Sequence, residues 1–341
     1  MPNFTSLPTE LLSQVINHVI QNPSQRAASR PSTSDILSLC LVNHCIRDLA
    51  QPFLYSHLDV RYQSDAEKLA TSDAFARYKV NVLELDGIIV DAGTAVELLK
   101  GAGKRGLRKV DLWYFSAFKT SDLRWAGPDL TTLDLTYVTF SETAPLRGCI
   151  FPFQLVHLGL HNRVSMSKSD LSHLLASCKS LESLDITFEA YSDERPPPVF
   201  ETLFSLPEFT EVAARITSLA FTSLPTTHLA GLAPLSSLIH LNFHPDSSTM
   251  DIWEVFEVLK TLPSEAPTIK HLTLGLWKSE LDLPAQQEWR KIINLKVLGK
   301  LELITWTSLS KDDLASLVDV LLGGRDVRME SEHIGEESGK R

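Results

Sequence analysis

Residues 107–113 read LRKVDLW, and 23 residues further on residues 130–136 read LTTLDLT. Residues 155–161 then read LVHLGLH and residues 181–187 read LESLDIT. Each stretch has the order apolar-x-x-apolar-x-apolar. Alternation in its second half is the mark of a strand with one buried side. Working outward, the same order occurs earlier at Tyr55/Leu58/Val60 and Val80/Leu83/Leu85. It occurs later at Ile216/Leu219/Phe221, Leu238/Leu241/Phe243, Ile269/Leu272/Leu274 and Leu298/Leu301/Leu303. Counted from the first apolar residue, the first five intervals are 25, 27, 23, 25 and 26 residues. The later ones are 35, 22, 31 and 29, so the second half carries insertions.

Short amphipathic helices are predicted between several copies, at TAVELLK (94–100), LSHLLASC (171–178), DIWEVFEVLK (251–260), QEWRKII (287–293) and KDDLASLVDVLL (311–322). A strand and a helix per unit, at a period in the twenties, predicts a leucine-rich-repeat solenoid. One unit cannot bury its apolar edge alone, so the units stack into a curved parallel sheet and the fold class is α/β. The Asn or Cys usual three residues after the last apolar position is missing. Ile88, Phe115, Val138, Arg163, Glu189, Leu224, Asp246, Trp277 and Trp306 stand there instead. Irregular turns, filled in places by aromatics, are the expectation.

The front of the chain is different. In LPTELLSQVINHVI (7–20), Leu7, Leu11, Leu12, Val15, Ile16, Val19 and Ile20 make one broad helical apolar face. Ser6 can cap it, and Pro8 is tolerated in a first turn. Residues 22–34 read as a Pro/Ser-rich loop. A second apolar segment, DILSLCLVNHCIRDLA (35–50), is closed by Pro52 and looks buried on more than one side. Full burial of the seven residues of the first face represents roughly 10–20 kcal/mol. The first fifty residues form too small a core to hide all of it. A leftover apolar patch marks a partner; the alternative is a cap on the end of the solenoid.

Leu7-Pro8-x-Glu10-Leu11-Leu12, then Val15-Ile16, then Leu37-x-Leu39-Cys40-Leu41-Val42-Asn43 resemble an F-box, over about residues 5–50. The repeats behind it resemble the leucine-rich class of F-box substrate receptors found in fungi. The resemblance implies a Skp-type adaptor as partner and membership of a cullin-based ubiquitin ligase. Its adaptor contacts map onto Leu7, Pro8, Leu11, Leu12, Ile16, Leu37, Leu41 and Val42. The chain departs from the family at His44, where a basic residue is usual, and at Ile46, where an aromatic is usual. The organisation expected is a helical unit over 1–54, a solenoid over 55–323 and a charged, pattern-free, disordered tail over 324–341. A repeat scaffold without a ligase role is the competing reading.

Residues between the apolar strand positions point to the open side of such a sheet. One column reads Asp59, Glu84, Asp111, Asp134, Gly159, Asp185, Ala220, Asn242, Thr273 and Glu302. Carboxylates about 4.8 Å apart on neighbouring strands repel. Lys109 and His57, in the adjacent column, can offset part of that. A protein substrate offering a basic or hydrogen-bond-donating segment fits Asp59, Glu84, Asp111 and Asp134, with Trp113 and His161 as larger contacts. The alternative is an ordinary solvated charge column.

Other readings are set aside on composition and spacing. A formal net charge of -10 is opposite to that of a phosphate-neutralising nucleic-acid binder. Four cysteines, with no CxxC pair, read as reduced thiols. No apolar run approaches membrane-spanning length and the N-terminus does not read as a signal peptide, which places the protein in the cytoplasm or nucleus. His157, His240 and His271 share a column but lack the spacing of a metal site. Gly101-x-Gly103-x-x-Gly106 follows a helix and precedes a strand, the reverse of a dinucleotide-binding turn, and reads as a flexible connection. No nucleophile, Walker or zinc motif is present. The expectation is a non-enzymatic protein with no catalytic residues, metal or cofactor.

Overall fold

The computed structural model describes residues 8–21, 33–141, 151–187, 203–221, 234–243, 269–276, 300–305 and 328–333. The expected helices over 251–260, 287–293 and 311–322 and the turn residues Glu189, Leu224, Asp246, Trp277 and Trp306 lie outside them.

Ten strands coincide with the ten sequence copies. They are β1 His57–Val60, β2 Val82–Asp86, β3 Lys109–Trp113, β4 Thr132–Thr136, β5 His157–His161, β6 Ser183–Thr187, β7 Ser218–Phe221, β8 His240–Phe243, β9 His271–Leu276 and β10 Lys300–Thr305. An eleventh, β11 (Arg328–His333), pairs with β10. All neighbours are parallel and follow chain order, so the sheet runs from β1 to β11 without a crossover. Strand β11 lies within residues 324–341, the stretch expected to be a disordered tail. In its register Met329 faces Leu301, but Ser331 stands opposite Leu303, so the alternation that marks the other strands is missing.

Alternation explains the core. Leu83, Leu85, Val110, Leu112, Leu133, Leu135, Leu158, Leu160, Leu184 and Ile186 are all buried under the sheet. On that side pack α4 (Gln63–Thr71), α5 (Ala74–Arg77), α6 (Ala92–Gly103), a 3-10 turn over Thr120–Ala126, α7 (Lys168–Ala176) and a helix over Pro207–Ala213. Helix α6 starts where Asp91 accepts the Thr94 N–H, and α7 starts where the Ser167 hydroxyl accepts the Asp170 N–H.

The turns leaving the strands are alike despite the missing Asn. Tyr114, Tyr137 and Asn162 occupy one position in three successive repeats, and all are left-handed, at φ 59°, 55° and 60°. Each donates its N–H to the strand-end carbonyl of the next repeat, Thr136, His161 and Thr187 respectively. Phe115 and Val138 follow and are buried. Phe115, Phe118 and Phe140 meet edge to face, so aromatics fill this part of the turn as expected. Ile88, at the equivalent place after β2, is exposed instead.

The glycine motif is a packing device, and part of it is helical. Gly101 and Gly103 lie in the last turn of α6, not in a flexible connection. A Cβ on Gly101 would strike the Phe75 ring, and one on Gly103 would strike the Trp125 carbonyl. Gly106, at φ 91°, makes the turn towards β3.

The front residues form three helices, α1 (Thr9–Gln21), α2 (Thr33–Cys40) and α3 (His44–Ser56). The segment read as one apolar stretch over 35–50 is therefore two helices. Asn43 breaks it: its extended backbone stops α2, and its side-chain oxygen accepts the Ile46 N–H at 2.9 Å to start α3. Pro52 sits inside α3 rather than closing it. The turn beyond Pro52 is held by Tyr55 stacked on Tyr78 at 4.4 Å and by the Tyr78 hydroxyl donating to the Gln51 side chain. Helix α3 runs straight into β1.

Candidate functional site

Two surfaces qualify. The first is the outer side of α1 and α2. Leu12 and Ile16, four residues apart on α1, are buried with Ile36, Ile46 and Ala50. Leu11 and Val15 lie on the neighbouring stripe and are exposed. Leu37 is exposed on α2, and the turn after it leaves Leu41 86% and Val42 61% exposed. Pro8, at the start of α1, is exposed as well. Of the adaptor contacts the resemblance implied, Leu7 lies outside the described residues. Pro8, Leu11, Leu37, Leu41 and Val42 are on the surface, whereas Leu12 and Ile16 belong to the interior of the helical unit. Val15 was not among the expected contacts, although its place four residues after Leu11 carried the signal.

The second surface is the open face of the sheet. The register joins Asp59, Glu84, Asp111, Asp134, Gly159 and Asp185 in one row, as the spacing required. The row is not a solvated column, because Glu84, Asp111 and Asp134 are each buried to within 9% of full burial. Polar neighbours satisfy them. Lys109 Nζ lies 2.7 Å from Asp134 Oδ2, His157 Nε2 3.0 Å from Asp134 Oδ1, and His161 Nε2 3.8 Å from the same oxygen. The outer ring nitrogens of both histidines are held in turn, by the Ser183 and Thr187 hydroxyls. The Trp113 indole N–H donates to Asp111. His57 Nε2 lies 3.2 Å from Glu84 Oε1, close enough for charge pairing but off line for a hydrogen bond. Gly159 makes the arrangement possible, since a Cβ there would collide with Asp134 and His161. A glycine inside a strand was the one sequence signal of this close approach.

The electrostatics follow from that geometry. Burial works to raise the Asp134 pKa, but hydrogen bonds from His157 and Lys109, with the His161 ring close by, overturn it and hold the group ionised well below the usual carboxylate range. Asp111 has fewer donors. Burial and the neighbouring Asp134 charge push it up to about 6. Burial works to lower His161 and Lys109, and the nearby Asp134 carboxylate raises both. Of the residues read from the sequence as substrate contacts, Asp134 and His161 thus belong to one polar cluster, and Asp111 is bonded to Trp113 beside it. Asp59 stands outside it and takes both Nε and Nη2 of Arg61, at 2.9 and 2.8 Å.

Beside Asp59 opens a cavity of about 270 Å³ lined by Asp59, Arg61, Glu84, Leu85, Asp86, Ile89 and Trp113. Ile89 lies beyond the strand end, where the columns do not reach, and Asp86 shares the column of Trp113 and His161, from which only the larger side chains were taken. On the opposite side of the repeats a cleft of about 770 Å³ is walled by Phe75 and Trp125, with Lys100, Lys104, Arg105 and Arg124 around it. Lys100 and Arg124 both sit over the Trp125 ring. Among the described residues no group of histidine, cysteine and carboxylate side chains is arranged to hold a metal, and no helix is long and apolar enough to cross a membrane.

Comparison with curated proteins finds no match. A family profile described as FBD-associated F-box protein At5g56370, LRR repeats, matches residues 105–196, which span β3 to β6. The chain is a leucine-rich-repeat solenoid headed by three helices, and its central repeats are similar to those of an F-box-associated repeat family.

Proposed function

We propose that the chain is a substrate-recognition subunit of a cullin-based ubiquitin ligase. Its helical unit docks a Skp-type adaptor, and its repeats hold a protein target. The observation that carries the reading is the apolar surface of Leu11 and Val15 on α1, Leu37 on α2 and Leu41 and Val42 in the turn after it, on a helical unit whose inner side is already packed. Covering those five side chains represents on the order of 5–10 kcal/mol of gross burial. The similarity of the repeats to those of F-box-associated proteins supports the same reading. Ubiquitin transfer is performed by other subunits, and this chain contributes proximity. Such a subunit works in the cytoplasm or nucleus. Direct continuity of α3 with β1 favours the second reading, a scaffold whose helices only cap the sheet.

Co-purification with a Skp-type adaptor separates the two. Leu41→Asp with Val42→Ser is the variant of choice, because both side chains are exposed and the change leaves the unfolding midpoint within about 0.5 kcal/mol of wild type. Capture by the wild type and its loss in the variant is the expected result. Absence of capture, or capture indifferent to the substitutions, leaves only the scaffold. Leu12→Asp is unsuitable, because it places a charge in the interior.

A further inference from the structure

We infer, resting on the receptor reading above, that the ridge at the carboxyl ends of β1, β2 and β3 docks a polypeptide segment carrying a lysine or arginine beside an apolar side chain. Two independent features meet there. The first is exposed apolar surface. Tyr62 follows β1, Ile88 and Ile89 follow β2, and Trp113 and Tyr114 end β3. Among the described solenoid residues, every exposed large apolar side chain except Trp125 lies on this ridge. Singly exposed apolar residues are ordinary, but five from three successive repeats on one side form a patch that marks a partner. The patch is held in shape. Asp86 Oδ1 accepts the Ile88 N–H at 2.9 Å, fixing the turn that presents both isoleucines. Tyr114 is stacked on Tyr137 at 4.9 Å and sits on a left-handed backbone.

The second feature is charge. The 270 Å³ cavity opens within the ridge, and its polar lining is three carboxylates, Asp59, Glu84 and Asp86, against one guanidinium, Arg61. Arg61 has a side chain 73% exposed, and both its bonds go to a single oxygen of Asp59, so it can swing outward. An ammonium or guanidinium entering between Asp59 and Asp86 gains both charges. The Trp113 indole in the wall is available to a cation that settles over its ring face. The neighbouring apolar side chain of the segment then covers Ile88 and Ile89. A phosphorylated or acidic segment meets repulsion at the same place. The network around Asp134 lies one strand further on and takes no ligand, because its donors are already spent on it.

The test is a display selection of random dodecapeptides on the full chain, followed by affinity measurements on the best synthetic peptide. Enriched peptides are expected to carry Lys or Arg next to an aromatic or aliphatic residue. Their binding should weaken about tenfold with Asp59→Asn plus Asp86→Asn, and by a similar factor with Ile88→Ser plus Ile89→Ser. It should also weaken as salt is raised. Asparagine keeps the acceptor that the Ile88 N–H uses, and unchanged unfolding midpoints confirm intact variants. The inference is overturned if selection yields no enrichment, if it yields peptides without basic residues, or if neither pair of substitutions moves the affinity. Acidic peptides would point instead to the cleft around Lys104 and Arg124. Adaptor capture is measured alongside. Capture without peptide binding sinks this inference alone, and peptide binding without capture sinks the ligase reading alone.

Discussion

Asp111 and Asp134 stand opposite one another on β3 and β4, and their surroundings send their protons in opposite directions. Asp134 collects Lys109, His157 and His161, and Asp111 bears the cost of lying next to a carboxylate that stays ionised. Its pKa of about 6 exceeds its ordinary value of 3.8. The folded state therefore binds more protons than the unfolded chain between those values, and stability falls as pH rises through that window. A shift of this size would be worth about 3 kcal/mol undiluted; screening on a face open to water brings it to about 1–2 kcal/mol. Asp111→Asn keeps the oxygen that accepts the Trp113 indole N–H and removes the titration. The variant should gain on the wild type by that amount between pH 4 and pH 7, read as the difference in urea midpoints. A difference that is flat, or that shrinks with rising pH, contradicts the assignment. The row of carboxylates was legible in the sequence, because strand spacing alone aligns it. Their burial was not, because it depends on His157, Lys109 and the absent side chain of Gly159, which reach across strands.

Helix α3 contains a proline that ordinary helix chemistry disfavours. Pro52 supplies no N–H to the turn below and crowds the carbonyl four residues back. Its side chain is exposed, so it contributes little packing to set against that. Pro52→Ala should raise stability by about 1–2 kcal/mol, after allowing for the greater freedom of the unfolded chain. Thermal unfolding followed by circular dichroism checks this, and an unchanged or lower midpoint would mean that the proline fits α3 without strain. Elements with strong periodicity were the legible ones. All ten strands and the helices around 94–100 and 171–178 appear where the spacing put them. Helices α4 and α5 and the 3-10 turn over Thr120–Ala126 were not readable, being short and rich in Ala, Asp and Ser. The boundary at Asn43 was missed because apolar residues continue on both sides of it. Only its capping side chain marks the break.

Across the whole molecule one register runs through every strand pair. Among the described residues strand β11 pairs only with β10, whose edge it covers. An uncovered parallel edge is a template for another chain. Ending the chain before Arg328 should therefore promote self-association, seen as a concentration-dependent rise in mass by light scattering. A truncated protein of unchanged monomeric mass would show that β10 is protected some other way. The continuity of the ladder also has a mechanical consequence. Tension applied along the stacking axis pulls in the direction of the inter-strand hydrogen bonds, and boundaries that carry it in series give way one at a time rather than all together. The molecule should yield from an end in small successive releases, each freeing one repeat, or roughly 8–9 nm of chain for about 25 residues. A protein built in this way behaves under load as a ribbon that peels, not as a globule that bursts.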